Sequence, residues 1–150
     1  MLLRQVVPLL LLYADKGRYI SGRTRFQKMI FLAQKEGTDV EEWYSFFPYD
    51  FGPYSAELQN DLDVLAGEEL ITESPEHYGE KIGYQYFLTK KGENLIKKVL
   101  SNAKYRNSFI RTLEALITIK TRYRFFSLEM IINEVYRKYP EYATFSRLSD

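Results

Sequence analysis

One stretch limits what this chain can fold into more than any other. Residues 44–55 read Tyr-Ser-Phe-Phe-Pro-Tyr-Asp-Phe-Gly-Pro-Tyr-Ser, and residues 56–65 follow as Ala-Glu-Leu-Gln-Asn-Asp-Leu-Asp-Val-Leu. Gly67 then leads to Leu70-Ile71. Seven aromatics crowd into residues 43–54: Trp43, Tyr44, Phe46, Phe47, Tyr49, Phe51 and Tyr54. Aromatic side chains fit a pleated, half-buried surface, so part of this run is expected to be a short strand. Pro48 and Gly52-Pro53 limit its length. Ser55 is placed to cap a helix, whose buried stripe would be Leu58, Leu62 and Leu65.

The rest of the chain reads as elements that brace this unit. An apolar helix is expected from about Leu3 or Val7 to Asp15, and Pro8 suits a first turn, where a missing N–H costs little. The run is too short to span a bilayer and is cut by Asp15-Lys16, so a buried helix is expected rather than a secretory signal. A second helix, Arg23–Lys35, places Phe26, Met29, Ile30 and Ala33 on one face, and Gly37 ends it. Leu70–Glu73 and Tyr84–Leu88 read as two strands joined by a polar loop, Ser74–Gly83. Thr89 caps a helix to about Leu100. Two further helices, about 104–120 and 127–139, carry apolar stripes, and Pro140 stops the second.

These elements predict a mainly α fold with minor β content. The order suggests a winged helix-turn-helix-like core over residues 1–101, a small β-hairpin wing at 70–88 and a helical extension at 102–140. At 150 residues, with 45% hydrophobic and 27% charged side chains, a single soluble domain is expected. The absence of cysteine excludes disulfides, thiol catalysis and cysteine-ligated zinc and suits a reducing, cytoplasmic interior.

Charge is unevenly placed. The net charge is +1, yet residues 36–80 hold thirteen Asp/Glu and no Lys or Arg. Both flanks are basic. Such asymmetry bears on partners and docking. Arg23, Arg25 and Lys28 crowd the start of the second helix, where the helix dipole favours anions. That points to carboxylate partners or an external anion. In helix-turn-helix proteins a helix in the place of 55–66 enters the major groove. Here it carries only acids, Glu57, Asp61 and Asp63, which would repel a phosphate backbone.

Catalysis finds little support. His77 is the sole histidine and falls in the expected 74–83 loop. No nucleophile elbow, phosphate loop or metal-type histidine spacing occurs. Glu57 and Asp61, one turn apart, are more readily a solvated face than a magnesium site. No enzyme activity, cofactor or metal is expected.

Two stretches carry a resemblance. Gly22-Arg23-Thr24-Arg25-Phe26-Gln27-Lys28-Met29-Ile30-Phe31-Leu32, with Tyr49-Asp50-Phe51-Gly52-Pro53-Tyr54-Ser55 and Asp61-Leu62-Asp63-Val64-Leu65, is similar to the YwgA-like family of bacterial and archaeal proteins. Val135–Tyr142 fits the same likeness. More distantly, Gln27-Lys28 and Gly52-Pro53 resemble the Panacea domain of SocA-like antitoxins, which implies recognition of a protein partner. Tyr86-Phe87-Leu88-Thr89-Lys90-Lys91-Gly92 looks like the strand-to-helix joint of winged-helix regulators. The family supplies no catalytic residues.

The expected function is therefore a non-catalytic binding module, antitoxin- or regulator-like, that engages another protein. Its surface would comprise Trp43, Phe47, Tyr49, Phe51 and Tyr54, bordered by Glu57 and Asp61. The alternative is a DNA-binding regulator that uses Arg23, Arg25 and Lys28, or Lys90, Lys91, Lys97 and Lys98. A homodimer is compatible with either, since acidic and basic faces can pair.

Overall fold

The computed structural model describes residues 1–146. A short 3-10 turn, Leu3–Gln5, opens into α1 (Val6–Tyr13), followed by β1 (Tyr19–Ser21) and α2 (Arg23–Glu36). β2 (Phe47–Tyr49) and β3 (Gly52–Tyr54) make a hairpin before α3 (Ala56–Gly67). β4 (Ile71–Tyr78) and β5 (Lys81–Leu88) form a second, longer hairpin. Three helices close the fold: α4 (Lys90–Ser101), α5 (Ala103–Arg122) and α6 (Leu128–Lys138). A 3-10 turn over Pro140–Ala143 follows them.

The core is built on α1 and α2. Val6, Val7 and Leu9–Leu12 of α1 are all buried, as are residues 26–33 of α2. Full burial of a large aliphatic side chain contributes roughly 1.5–3 kcal/mol, so these two helices hold much of the hydrophobic stabilisation. α5 supplies Phe109, Leu116 and Ile119, and α6 supplies Ile131 and Val135, to the same cluster. The last two helices are thus part of the core. Lys120 of α5 is also buried. Its ammonium donates to the Leu11 and Leu12 carbonyls at 2.8 and 3.2 Å and pairs with Asp15 at 2.9 Å. It adds a side-chain donor to carbonyls in the last turn of α1.

The cap residues behave as their chemistry requires. Ser55 accepts the Leu58 N–H and Thr89 accepts the Gly92 N–H. The fold class, however, is α+β. β1, β5 and β4 form a three-stranded antiparallel sheet in that order, and β2–β3 form a separate two-stranded sheet. The expectation of a mainly α, winged helix-turn-helix core is overturned. A helix-turn-helix joins its helices by a turn of a few residues. Here α2 and α3 are separated by residues 37–55, which carry a hairpin of their own.

The expected 70–88 wing is corrected in the same way. Its strands run eight residues each, with Ile71 opposite Leu88 and Tyr78 opposite Lys81. Residues 74–78 and 81–83, expected in a loop, are strand. They are polar because most of this outer ladder faces solvent on both sides, and alternation fails as a signal there. The turn sits at Gly79-Glu80, where Gly79 takes φ +64°. Among the described residues, no helix is long and apolar enough to cross a membrane.

Gly92 lies in the first turn of α4 against the Leu70 carbonyl, where a Cβ has no room. Gly92→Ala is expected to push α4 away from β4 and to cost about 1–3 kcal/mol, measured as a lower urea midpoint at unchanged m-value.

Candidate functional site

The site is assembled from α2 outward. Gln27 and Gln34 lie two helical turns apart, so their side chains leave the same face. Each amide closes a paired hydrogen bond on one residue's backbone. Gln27 donates to the Ser55 carbonyl at 2.9 Å and accepts the Ser55 N–H at 2.8 Å. Gln34 donates to the Tyr44 carbonyl at 2.9 Å and accepts the Tyr44 N–H at 3.0 Å. Between them Lys28 donates to the Pro53 carbonyl at 2.7 Å. The segment 44–55 therefore finds its backbone partners on a helix, and β2–β3 stands out from it.

The residues expected to form one partner surface divide into two groups. Trp43 is half-buried, stacks on Phe109 at 5.1 Å and donates its indole N–H to the Thr112 hydroxyl at 2.9 Å. It anchors the loop to α5. Asp61 is buried and faces inward. It accepts from Arg4 Nε at 2.8 Å, Tyr44 Oη at 2.8 Å and Gln5 Nε2 at 3.1 Å. Burial pushes its carboxyl up, but the hydrogen bonds from Arg4, Tyr44 and Gln5 outweigh this and hold it below the ordinary carboxylate value. Burial and the bond to Asp61 raise the Tyr44 phenol. Glu57 remains exposed, pairing with Arg4 at 3.1 Å and accepting the Ser45 N–H at 3.2 Å.

The second group stays outside. Phe47 is 66% exposed, Tyr49 56% and Phe51 42%. Phe47 faces Tyr54 across the hairpin, so Phe47, Tyr49 and Tyr54 share one face and Pro48 and Pro53 the other. Tyr54 is half-buried and lies 5.2 Å from the Tyr49 ring. Phe51 occupies the turn.

The cations separate similarly. Arg23 donates to Tyr86 Oη at 3.1 Å, pairs with Glu73 at 2.9 Å and covers the Tyr84 ring at 4.0 Å. Arg25 donates to the Phe126 carbonyl at 2.8 Å, and burial lowers its pKa. Lys28 is buried. Lys90, Lys91, Lys97 and Lys98 are exposed on α4, with Lys97 paired to Glu93 at 3.0 Å and Lys91 donating to the Glu68 carbonyl at 2.8 Å. His77 lies exposed on β4. Among the described residues, no three His, Cys, Asp or Glu side chains gather closely enough to hold a metal.

Sequence reasoning missed the burial of Asp61 and Lys28. A signal existed for Asp61: it lies three residues after Leu58 and four before Leu65, within the apolar stripe. A carboxylate there requires a partner. That partner, Arg4, is remote in sequence.

No family model matches the sequence. Among curated proteins, the chain is 35% identical over 91 residues to a protein of Bacillus subtilis (strain 168) described as uncharacterized protein YwgA. The match covers 61% of this chain and 53% of that protein, so the chain spans about half the length of the relative it matches.

Asp61→Ala is expected to lower stability by roughly 3 kcal/mol, because the Arg4 charge and the Tyr44 phenol lose their shared acceptor. The sign with pH follows from the lowered folded pKa. The contribution is whole above about pH 4, the unfolded carboxylate value, and is lost as pH falls through the lower folded value. Urea melts at neutral pH and near pH 2.5 should show the gap between wild type and Asp61→Ala closing in acid. The similarity found for this chain is thus to a YwgA protein, in support of the YwgA-like resemblance and not of the Panacea one.

Proposed function

We propose that this chain is a non-catalytic protein-binding module whose β2–β3 hairpin docks a partner carrying a basic, partly apolar segment. One observation carries the reading: Phe47, Tyr49 and Phe51 are exposed together on a hairpin whose backbone is held from behind. Held aromatics lose little conformational entropy on binding, which favours them as contact residues. Covering their exposed surface at about 25 cal/mol per Å² yields on the order of a few kcal/mol.

Charge selects the partner. Glu41, Glu42 and Glu57 are exposed; the first two flank the segment in sequence, and the third, already paired with Arg4, is bonded to it at Ser45. No lysine or arginine falls within residues 36–80. Such a surface attracts a basic partner and speeds its encounter. Of the three cations near the start of α2, Arg23 pairs with Glu73, Arg25 bonds a carbonyl and Lys28 is buried. This weakens the case for nucleic acid at that face.

The test is affinity capture with wild-type chain, followed by titration of the purified partner. Tyr49→Ala and Phe51→Ala should each weaken binding at least about tenfold, within the range for aromatic hot spots. Both variants should keep the wild-type melting temperature. A partner bound equally well by both variants would overturn the proposal. So would steeply salt-dependent binding of duplex DNA that ignores Tyr49 and Phe51 and is lost on reversing Lys90 and Lys98.

A further inference from the structure

Among the described residues two lysines are buried, and only one of them has a counter-ion. Lys120 pairs with Asp15 and two carbonyls. Lys28 is 2% exposed, and a single contact, to the Pro53 carbonyl, accounts for one of its three N–H bonds. Among the described residues, none of the ion pairs includes it. A buried ammonium without a carboxylate is costly and calls for an explanation.

The surroundings supply one. Lys28 lines a cavity of about 280 Å³ between the start of α2 and the β2–β3 turn. Thr24 and Gln59 contribute polar groups, and Tyr49, Phe51 and Tyr54 contribute aromatic walls. An apolar cleft with a few convergent polar groups is the usual form of a small-molecule site, and this volume lies just below the range for drug-sized ligands, which suits a smaller molecule. Gly52 closes one side. Its φ is +95°, and a Cβ there would meet the Lys28 Cε at 3.3 Å and the Tyr136 ring at 3.2 Å. Tyr136 lies outside that lining; among the described residues its hydroxyl is buried without a hydrogen-bond partner.

We propose that this cavity binds a small carboxylate-bearing molecule. Its carboxylate pairs with the Lys28 ammonium and its apolar body lies against Tyr49, Phe51 and Tyr54. The ionisable groups around Lys28 leave this role open. Arg23, also lining the cavity, is committed to Glu73 and Tyr86. Asp50 on the turn has a partner of its own. Burial lowers the Lys28 pKa, to about 7. Ligand binding should therefore draw a proton onto Lys28 as the anion arrives. This site goes beyond the hairpin's docking role, and its test involves no protein partner.

Benzoate and acetate serve as probes, followed through the amide resonances of Thr24 and Gly52. Benzoate stays ionised from pH 6 to pH 8, so any pH dependence belongs to the protein. Binding should be strongest at pH 6 and about tenfold weaker at pH 8, as the Lys28 proton is lost near pH 7. Lys28→Met should abolish binding. Thr24→Leu, which fills the cavity from the preceding turn of α2 and leaves Lys28 in place, should abolish it too. This second variant decides the matter should Lys28→Met fail to fold. Three results would overturn the proposal: neither probe binding at pH 6, equal affinity at pH 6 and pH 8, or undiminished binding in folded Thr24→Leu.

Discussion

The loop between α2 and α3 is held by side chains of one helix acting as backbone partners. A loop that long must satisfy its N–H and C=O groups somewhere. Gln27 and Gln34 each take both groups of one residue, and Lys28 takes a third carbonyl between them. Without these contacts the loop backbone loses its partners on α2, and the pairing of two such short strands is by itself marginal in water. The aromatic face, the cavity beneath it and the start of α3 all depend on this attachment. Of the stretches that carry the family resemblance, Gly22–Leu32 and Tyr49–Ser55 meet in this attachment through Gln27 and Lys28.

Asp61 ties the same region to the N-terminus. Through Arg4, Gln5 and Tyr44 it joins the opening turn, α3 and the aromatic loop in one buried polar cluster. Such a cluster fixes geometry more surely than it adds stability, since desolvation offsets much of the Coulomb attraction. The acidic character of α3 thus has two parts. Asp61 faces inward, while Glu57 and Asp63 remain outside.

Much of the helical frame was legible in the sequence because its signals are local. Ser55 and Thr89 cap where their hydroxyls suggested, and Gly37 follows α2. The missed features are non-local. β1 is three residues long, and only its pairing with β5 makes it a strand. The outer part of β4–β5 is polar because it meets water, so no periodicity marked it. The extra hairpin separating α2 from α3 is the decisive difference: Pro48 and Gly52-Pro53, which as local punctuation bound one short strand, flank a turn between two. Lys28, grouped by sequence with Arg23 and Arg25 at the start of α2, is instead buried. Its burial follows from the Pro53 carbonyl, which no local pattern could place.

The attachment of β2–β3 has an evolutionary consequence. Every clamp from α2 grips main-chain atoms: the amide and carbonyl of Tyr44 and Ser55, and the carbonyl of Pro53. None of them reads the side chains at Phe47, Tyr49 or Phe51. Those three positions can be exchanged without disturbing the mount. Sequence drift at the tip is thereby uncoupled from the frame that carries it.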